Sequence, residues 1–485
     1  MNLKSKTIDG IKWTSISAMI IAIIQILQLS LLTHYLEPSD FGLMAIVMVV
    51  IGFSNMFLDL GIGAVIIHNQ AITHDELSSL YWMNILIGTI LSFTIYTIAP
   101  YIYFVYQEKE LVSIIHILSI SFIISSIGSQ YTILFQKKLK FNIIAKINIL
   151  SVSVAFIIAV ISAIKGMGVY ALVYAYLANV ITLTIINILL GYKEYRPSFR
   201  YNFKEIKPML SFGSFQMGER TLNYFHSQFD VILIGKLLGL EVLGIYNIAK
   251  TISMYPANMI NPIINKVAFP IMAKFQNNSE KLKIMYLRMI GYIASINFPL
   301  YIILIILAEP IILTLFGEKW RGSIVILQIL SIYTAIRSIG NPIGSLILAR
   351  GRVKLGFYWN LFIFSCMPLV IYIGSFWGLE GIAYSMVIIM FLLMVIPNWY
   401  FLVKPLCGAT YKEYMGTLLK PIVLALIGGF MMYIIMILVT PLVPPFWLIW
   451  IITISMVLVM TTLNLLFNRH FIETLWLLVK KREIE

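Results

Sequence analysis

The chain has 485 residues, of which 60% are hydrophobic and only 12% are charged, and its mean hydropathy is +0.92. Soluble domains carry roughly 25% charged residues, so this composition excludes an ordinary soluble protein and indicates a multi-pass membrane protein. The net charge of +14 could suggest nucleic acid, but most of the 35 Lys and Arg lie in short loops on one side of the predicted membrane. We therefore expect no nucleic-acid partner.

Apolar segments of about 20 residues or more recur along the chain, and each is long enough to cross a hydrocarbon core of ~30 Å as a helix. A β-barrel would instead show alternating strands of about ten residues. The sequence therefore predicts an all-α polytopic membrane protein with fourteen transmembrane helices. The predicted segments are 10–34, 40–66, 80–106, 111–136, 144–165, 168–191, 208–236, 241–270, 281–308, 322–349, 353–375, 378–404, 418–440 and 445–467.

The placement of the basic residues predicts that both termini are cytoplasmic. With the amino terminus inside, basic loops such as the one that holds Lys138 and Lys140 also fall inside, as the positive-inside rule requires. The first apolar stretch lacks a small-residue cleavage site, so we expect an uncleaved first helix. The two cysteines, Cys366 and Cys407, indicate neither a disulfide framework nor a metal site.

The chain contains a weak internal repeat. At an offset of 202 residues, the stretch around Gly42 falls on the stretch around Gly244, and at an offset of 214 the basic loop with Lys138 resembles the one with Arg352. Six helices separate the copies, and an even number preserves orientation, so the repeat is parallel. Chance resemblance between apolar helices is the alternative, and the matching basic loops count against it. The predicted regions are a first six-helix lobe (1–192), a cytoplasmic linker (193–207), a second six-helix lobe (208–404), two appended helices (405–467) and an amphipathic cytoplasmic tail (468–485).

Three basic side chains, Arg220, Lys250 and Arg337, lie near the middle of predicted helices. A charge at bilayer depth costs at least ~2.5 kcal/mol, so such a residue marks an inward-facing site. The deep anions, Asp59 and Glu219, are fewer than the cations, so pairing alone leaves surplus positive charge. We therefore predict that the three cations bind an anionic ligand carried in the membrane. The alternative is that a carboxylate such as Glu219 only neutralises Arg220 and holds helices together.

Neutral polar residues follow the same helices, often at spacings of three and four that place them on one face. The predicted lumen-facing residues are Gln25, Gln28, Asn55, Asn223, Asn247, Asn261 and Asn341. Coupling to H⁺ or Na⁺ has four candidates, Asp59, Glu219, His226 and Asp230. An imidazole titrates near physiological pH, so His226 is a candidate proton relay, although a single His on a polar stripe is more often only hydrogen-bonded.

The sequence contains no phosphate-binding loop, no HExxH, no Cys/His cluster and no loop long enough to house a catalytic domain. We therefore expect that the protein is not an enzyme and that it needs no cofactor other than a coupling ion.

Three stretches carry a resemblance to a known family: HYLEPSDFGLMAIV, FLDLGIGAVIIHN and SQFDVILIGKLLGLEVLGIYNIAKTISMYPANMINPI. Over essentially its whole length the chain resembles the polysaccharide-exporter branch of the multidrug/oligosaccharidyl-lipid/polysaccharide superfamily. The resemblance implies a MATE-like fold and a flippase of the bacterial inner membrane. Its cargo would be undecaprenyl-diphosphate-linked oligosaccharide or polysaccharide repeat units, moved outward by alternating access.

The resemblance also implies roles for residues and partners. It assigns Arg220, Lys250 and Arg337 to the diphosphate, and it makes a polysaccharide polymerase or other export machinery an expected partner. The sugar contacts that it implies are Gln25, Asn55, Asn223 and Asn261.

Three other functions stay open from the sequence. A peptidoglycan-precursor (lipid II) flippase would also be cationic and have fourteen helices. A multidrug/cation antiporter of the same fold would have twelve helices and an acidic lumen, and a non-transporting scaffold in envelope assembly would not need central charges.

Overall fold

The computed structural model describes residues 3–59, 62–203, 206, 221 and 224–467, without side-chain detail at 3–9, 11, 59, 64, 68, 262–267 and 269–271. This part of the chain is helical and contains no β-strand, which confirms the predicted all-α class. The helices are α1 (Leu3–Tyr35), α2 (Pro38–Asp59), α3 (Ile62–His68), α4 (His74–Tyr106), α5 (Lys109–Lys137), α6 (Phe141–Ile164), α7 (Tyr170–Gly191), α8 (224–237), α9 (Leu240–Lys274), α10 (Ser279–Ile306), α11 (Ala308–Leu315), α12 (Ser323–Ile339), α13 (Pro342–Ala349), α14 (Val353–Ser375), α15 (Gly378–Val395), α16 (Lys404–Cys407), α17 (Tyr411–Val439) and α18 (Pro445–Phe467).

Within the described residues, 12 helical segments are long and apolar enough to cross a membrane. They coincide with the first six and the last six predicted segments, so the chain is a multi-pass membrane protein. Helix α8 lies in the last part of the predicted segment 208–236, most of the rest of which is outside the described residues, and α9 covers the predicted segment 241–270. That α8 and α9 also cross the membrane, which would make the total fourteen, stays a prediction.

The chain forms two compact units, Met1–Gly244 and Ile245–Glu485. In the first unit, α5 packs against α4 and α7, and α6 packs against α1 and α7. Small residues permit the close approach: a Cβ on Gly128 of α5 would lie 2.9 Å from the Cα of Thr184 on α7. Such small residues at helix crossings are typical of membrane proteins. The predicted boundaries of the lobes, linker and tail stay predictions.

The starts of α2 and α9 cross in backbone contact. A Cβ on Gly42 would lie 1.9 Å from the carbonyl oxygen of Leu240, and a Cβ on Gly244 would lie 1.8 Å from that of Pro38. Only glycine fits at either position, because each contact is with backbone that has no rotamer to change. Gly42 and Gly244 are the pair that the internal repeat matches, and Pro38 and Leu240 share the same offset. The two contacts are therefore reciprocal, which supports the repeat.

The segment after α7 is fixed along α4. Phe199 stacks on Trp82 with ring centroids 5.3 Å apart. Hydrogen bonds add to this contact, among them His74 Nε2 to Arg196 O (2.9 Å), Trp82 Nε1 to Ser198 O (2.8 Å) and Asn202 N to Ser79 Oγ (3.1 Å). At the start of the segment, burial raises the pKa of the Glu194 carboxyl, but ion pairs with Lys138 and Lys140 outweigh it and lower this pKa overall.

In the second unit, α10 packs against α12 and α17, and α17 packs against α18. Helices α17 and α18 are the predicted appended pair, and a Cβ on Gly429 of α17 would lie 2.4 Å from Ile302 of α10. The predicted segment 322–349 is divided at Gly340 and Asn341 into α12 and α13. Pro342 begins α13, because proline has no N–H to donate and suits a first helical turn.

We expect Gly42→Ala to lower the thermal unfolding midpoint of the purified protein. The added methyl group would overlap the Leu240 carbonyl oxygen, so α2 and α9 would have to separate, at a cost of about 1–3 kcal/mol. Gly416→Ala in α17 is the matched control, because a Cβ there meets nothing within 4 Å. The close contact would be contradicted if both variants melted at the same temperature in one detergent.

Candidate functional site

Helix α1 presents two different exposed faces. Its exposed apolar stripe recurs every three or four residues and consists of Ile16, Met19, Ile23, Leu27 and Leu31. Gln25 is also exposed, but it lies two residues from Ile23 and Leu27, roughly 200° around the helix from each. Gln28 is half-buried and lies between Gln25 and Leu31, about 60° around the helix from each. Of the predicted polar pair, Gln25 therefore lies on the face of α1 opposite the exposed apolar stripe, and Gln28 lies at the border between the two faces.

Asn55 of α2 is exposed, and its Nδ2 lies 3.5 Å from the hydroxyl of Tyr176 on α7. It borders a cavity of about 320 Å³ inside the first unit. The sequence analysis missed the other polar lining residues of this cavity, which are Asn84, Ser125, Ser129, Gln130 and Thr132. The sequence contains a weak indication of this polar lining, because Ser125, Ser129 and Thr132 share one helical face at spacings of four and three.

Helix α9 carries three of the predicted residues on one face. Asn247 and Lys250 are both half-buried. Asn261 follows about three helical turns after Lys250, roughly 16 Å further along the axis on the same face, and it is buried. Because α9 is one continuous helix, the three residues lie on one side of it.

Asn261 contacts a group of buried polar residues in the second unit that the sequence analysis did not predict. Asn297 of α10 is fully buried and donates from Nδ2 to Asn261 Oδ1 at 3.3 Å. Its own Oδ1 has no hydrogen-bond partner. One turn later on α10, Tyr301 lies beside Thr334 of α12 and within electrostatic range of the Arg337 guanidinium.

Arg337 is half-buried near the end of α12. The structure thus brings the predicted Arg337 and Asn261 into one neighbourhood through Asn297 and Tyr301. The sequence contains little indication of Asn297 and Tyr301, because each is a single polar residue in an apolar run. Asn341 is exposed in the break between α12 and α13, one turn after Arg337.

A large apolar cavity adjoins this polar group. It has a volume of about 580 Å³ and lies between α10, α12, α15 and α17 of the second unit. Tyr301 lines it, together with Ala335 and Ile336 beside Arg337. No charged side chain lies among its described lining residues. The cavity therefore adjoins the helix that carries Arg337, although Arg337 is not among the residues that line it. This arrangement suits a ligand with an anionic head and a hydrocarbon chain.

The remaining predicted residues lie in the first unit or outside the described part of the chain. Asp230 is buried, and its Oδ1 accepts a hydrogen bond from its neighbour's N–H, that of Val231, at 2.9 Å. His226 is half-buried on the same helix, α8. Predictions that lie outside the described residues are those for Arg220, Glu219, Asn223 and the side chain of Asp59.

No group of three or more His, Cys, Asp or Glu side chains in the described residues is arranged to hold a metal ion.

Known proteins resemble the chain in sequence. The family model described as "Polysaccharide biosynthesis protein" matches residues 31–325. The lipopolysaccharide biosynthesis protein WzxC of Escherichia coli (strain K12) is 31% identical over 427 residues, which cover 88% of this chain and 87% of that protein. The teichuronic acid biosynthesis protein TuaB of Bacillus subtilis (strain 168) is 34% identical over 429 residues, 88% of each chain.

Solved structures resemble the chain in fold. The lipid II flippase MurJ in its inward closed conformation aligns with a TM-score of 0.72 at 16% identity, covering 95% of this chain and 100% of that chain. An inward-facing MATE transporter of the MOP superfamily aligns with a TM-score of 0.59 at 14% identity, covering 81% and 98%. At these identities the likeness shows the fold, and it confirms the predicted MATE-like class.

We expect Asn297→Leu to lower the thermal unfolding midpoint of the purified protein. Leucine has a similar volume but cannot donate to Asn261 Oδ1, and leaving this buried acceptor without its donor costs about 1–3 kcal/mol of unfolding free energy. The thermal midpoint is measured in one detergent.

Ser331→Ala is the matched control for this variant, because the buried Ser331 hydroxyl bonds to Leu327 O of its own helix. Equal thermal midpoints for the two variants would contradict a contribution of the Asn297–Asn261 hydrogen bond to stability.

Proposed function

The chain belongs to the polysaccharide biosynthesis protein family, and we propose that it translocates lipid-linked oligosaccharide or polysaccharide repeat units across the membrane. One observation carries the proposal: the half-buried Arg337 lies within electrostatic range of Tyr301, which lines an apolar cavity of about 580 Å³. This cargo has the same two parts, a charged head and a long hydrocarbon chain. The named relatives act in the biosynthesis of lipopolysaccharide and teichuronic acid, which are saccharide polymers.

We infer that the anionic head is a diphosphate and that the lipid is undecaprenol. A guanidinium offers parallel N–H donors that match phosphate oxygens, and a charge-assisted hydrogen bond is roughly twice as strong as a neutral one. Arg337 would hold the diphosphate in this way, with Lys250 and Arg220 as further cationic ligands. The apolar cavity would receive part of the lipid chain. Sugar contacts would come from Gln25, Asn55, Asn223 and Asn261.

The transport cycle that we propose is alternating access, in which the two lobes rock about a central site. The protein would lie in the bacterial inner membrane with both termini cytoplasmic and would move its cargo outward. No bond in the cargo is made or broken, so the protein would act as a transporter without catalysis. Coupling to H⁺ or Na⁺ would use Asp59, Glu219, His226 or Asp230, and a polysaccharide polymerase would receive the product.

The structural likeness to a lipid II flippase keeps a peptidoglycan precursor as the second candidate cargo. Such a precursor has the same diphosphate and the same kind of lipid, so the Arg337 site would serve either molecule. Sequence favours the polysaccharide cargo, since the polysaccharide relatives are 31% and 34% identical, against 16% for the lipid II flippase.

We expect Arg337→Ala to lower surface polysaccharide at least ~10-fold when it replaces the native chain in the source bacterium, because a hydrogen bond to a charged group is worth about 1.5–3 kcal/mol. Arg337→Lys should restore only part of the export, since an ammonium cannot donate in the bidentate manner of a guanidinium. Labelled surface polysaccharide is measured against the amount of protein in the membrane.

The matched control is Arg352→Ala, which removes an exposed arginine at the start of α14 and should export normally. Normal export by Arg337→Ala at normal abundance would remove Arg337 from the cargo site. Accumulation of a peptidoglycan precursor instead of a polysaccharide precursor would favour the second cargo.

A further inference from the structure

The cavity of about 320 Å³ in the first unit differs in chemistry from the apolar cavity in the second. It lies between α2, α4, α5 and α7, and its volume is near the lower end of the ~300–1,000 Å³ that small-molecule sites occupy. Its lining combines amides and hydroxyls with aliphatic side chains such as Leu58, Ile133 and Leu183. None of its lining residues is an Asp, Glu, Lys, Arg or His. A ligand of this cavity is therefore uncharged.

Asn84 supplies an unused acceptor in this cavity. Its side chain is only 4% exposed, and its Nδ2 donates to Ser126 O at 3.0 Å and to Ser129 Oγ at 2.6 Å. Its Oδ1 accepts no hydrogen bond from the described residues. This oxygen can therefore accept a hydrogen bond from a ligand in the cavity, which is worth about 0.5–1.5 kcal/mol.

Two hydroxyls of the lining are also unused. A serine or threonine within a helix commonly bonds back to a carbonyl oxygen one turn earlier, as Ser151 and Ser153 do in this chain. Ser125 and Thr132 line the cavity, and neither makes a hydrogen bond with the described residues. Each can both donate and accept. The cavity thus presents an acceptor and two amphoteric hydroxyls, with apolar side chains between them.

We propose that this cavity binds one uncharged sugar ring of the transported saccharide, an inference that rests on the proposed function. A pyranose has hydroxyls that donate and accept around its rim and C–H groups on its faces. The hydroxyls match Asn84, Ser125 and Thr132, and the C–H faces match the aliphatic lining. Asn55, which is exposed at the edge of the cavity, marks where the sugar enters.

The position of the cavity suits the binding of cargo that has not yet crossed the membrane. Thr132 lies about one turn before the end of α5, close to the basic loop with Lys138 and Lys140, and Asn55 lies one turn before the end of α2. In the proposed topology this is the cytoplasmic side, where the lipid-linked saccharide is assembled. The cavity therefore acts when the cargo first binds from the cytoplasmic side. Substitutions that remove its polar groups should weaken binding of the sugar-bearing cargo.

The test compares two kinds of probe on the purified full-length protein. One is farnesyl diphosphate, and the other is a set of farnesyl diphosphates that carry glucose, galactose, rhamnose or N-acetylglucosamine. Binding is measured by calorimetry in one detergent. We expect the wild-type protein to bind at least one glycosylated probe ~10-fold more tightly than farnesyl diphosphate, since each hydrogen bond adds about 0.5–1.5 kcal/mol.

The variant Ser125→Ala/Thr132→Val removes both hydroxyls, neither of which makes a hydrogen bond within the described part of the chain. It should lose most of the ~10-fold preference and bind farnesyl diphosphate as the wild type does. Leu183→Phe narrows the same cavity from α7 and should have the same effect. Ser153→Ala on α6 is the matched control, because its hydroxyl bonds only to Ile149 O of its own helix.

The outcomes distinguish this proposal from the proposed function. If the wild type bound glycosylated and bare probes equally, or if both cavity variants kept the preference, the sugar site would be overturned while diphosphate binding stood. If the wild type bound none of the probes, the proposed function would fail, and the sugar site with it. Loss of the preference in either cavity variant, with unchanged binding of the bare probe, would support the sugar site.

Discussion

A polar group inside a hydrocarbon layer has no water to bond, so it has to find its partner within the protein or in a ligand. Every described membrane segment meets this constraint for its backbone by being helical. Side chains meet it by position: α1 turns Ile23 and Leu27 to one side and Gln25 to the other. The few interior polar groups that keep an unused atom, such as Asn84 and Asn297, are therefore the places where a ligand has most to contribute.

These unused groups differ between the two units in a way that matches an amphiphile with a saccharide. The second unit holds an apolar cavity that Tyr301 lines, within electrostatic range of Arg337, which suits a hydrocarbon chain and a phosphate. The first unit holds an uncharged cavity with Ser125 and Thr132 on its wall, which suits a sugar. Under the proposed function, the two cavities would recognise different chemical parts of one cargo. A substitution in the wall of the first cavity could then change the sugar preference without touching the apolar cavity.

Hydropathy was enough to predict the membrane segments, because the free energy of leaving backbone unpaired in hydrocarbon outweighs the local preferences of single residues. It did not predict the division of 322–349 at Gly340, since a helix break in an apolar run leaves the mean hydropathy unchanged. The three cations could be identified from the sequence, because a single charge in a membrane is costly by itself. Asn297 could not be identified, because its role depends on its hydrogen bond with Asn261 on another helix, and only packing brings the two together. The predicted roles of Arg220, Glu219 and Asn223 stay predictions.

The reciprocal contact of Gly42 with Leu240 and of Gly244 with Pro38 has the form of an isologous dimer interface, in which residue i contacts residue j and the equivalent j contacts i. Symmetry of this kind is what two identical chains make around a two-fold axis, and here it survives inside one chain. Here a side chain larger than hydrogen at either glycine would meet backbone. The two equivalent positions of the repeat are therefore under one steric constraint, and a substitution at either of them should disturb the same helix crossing.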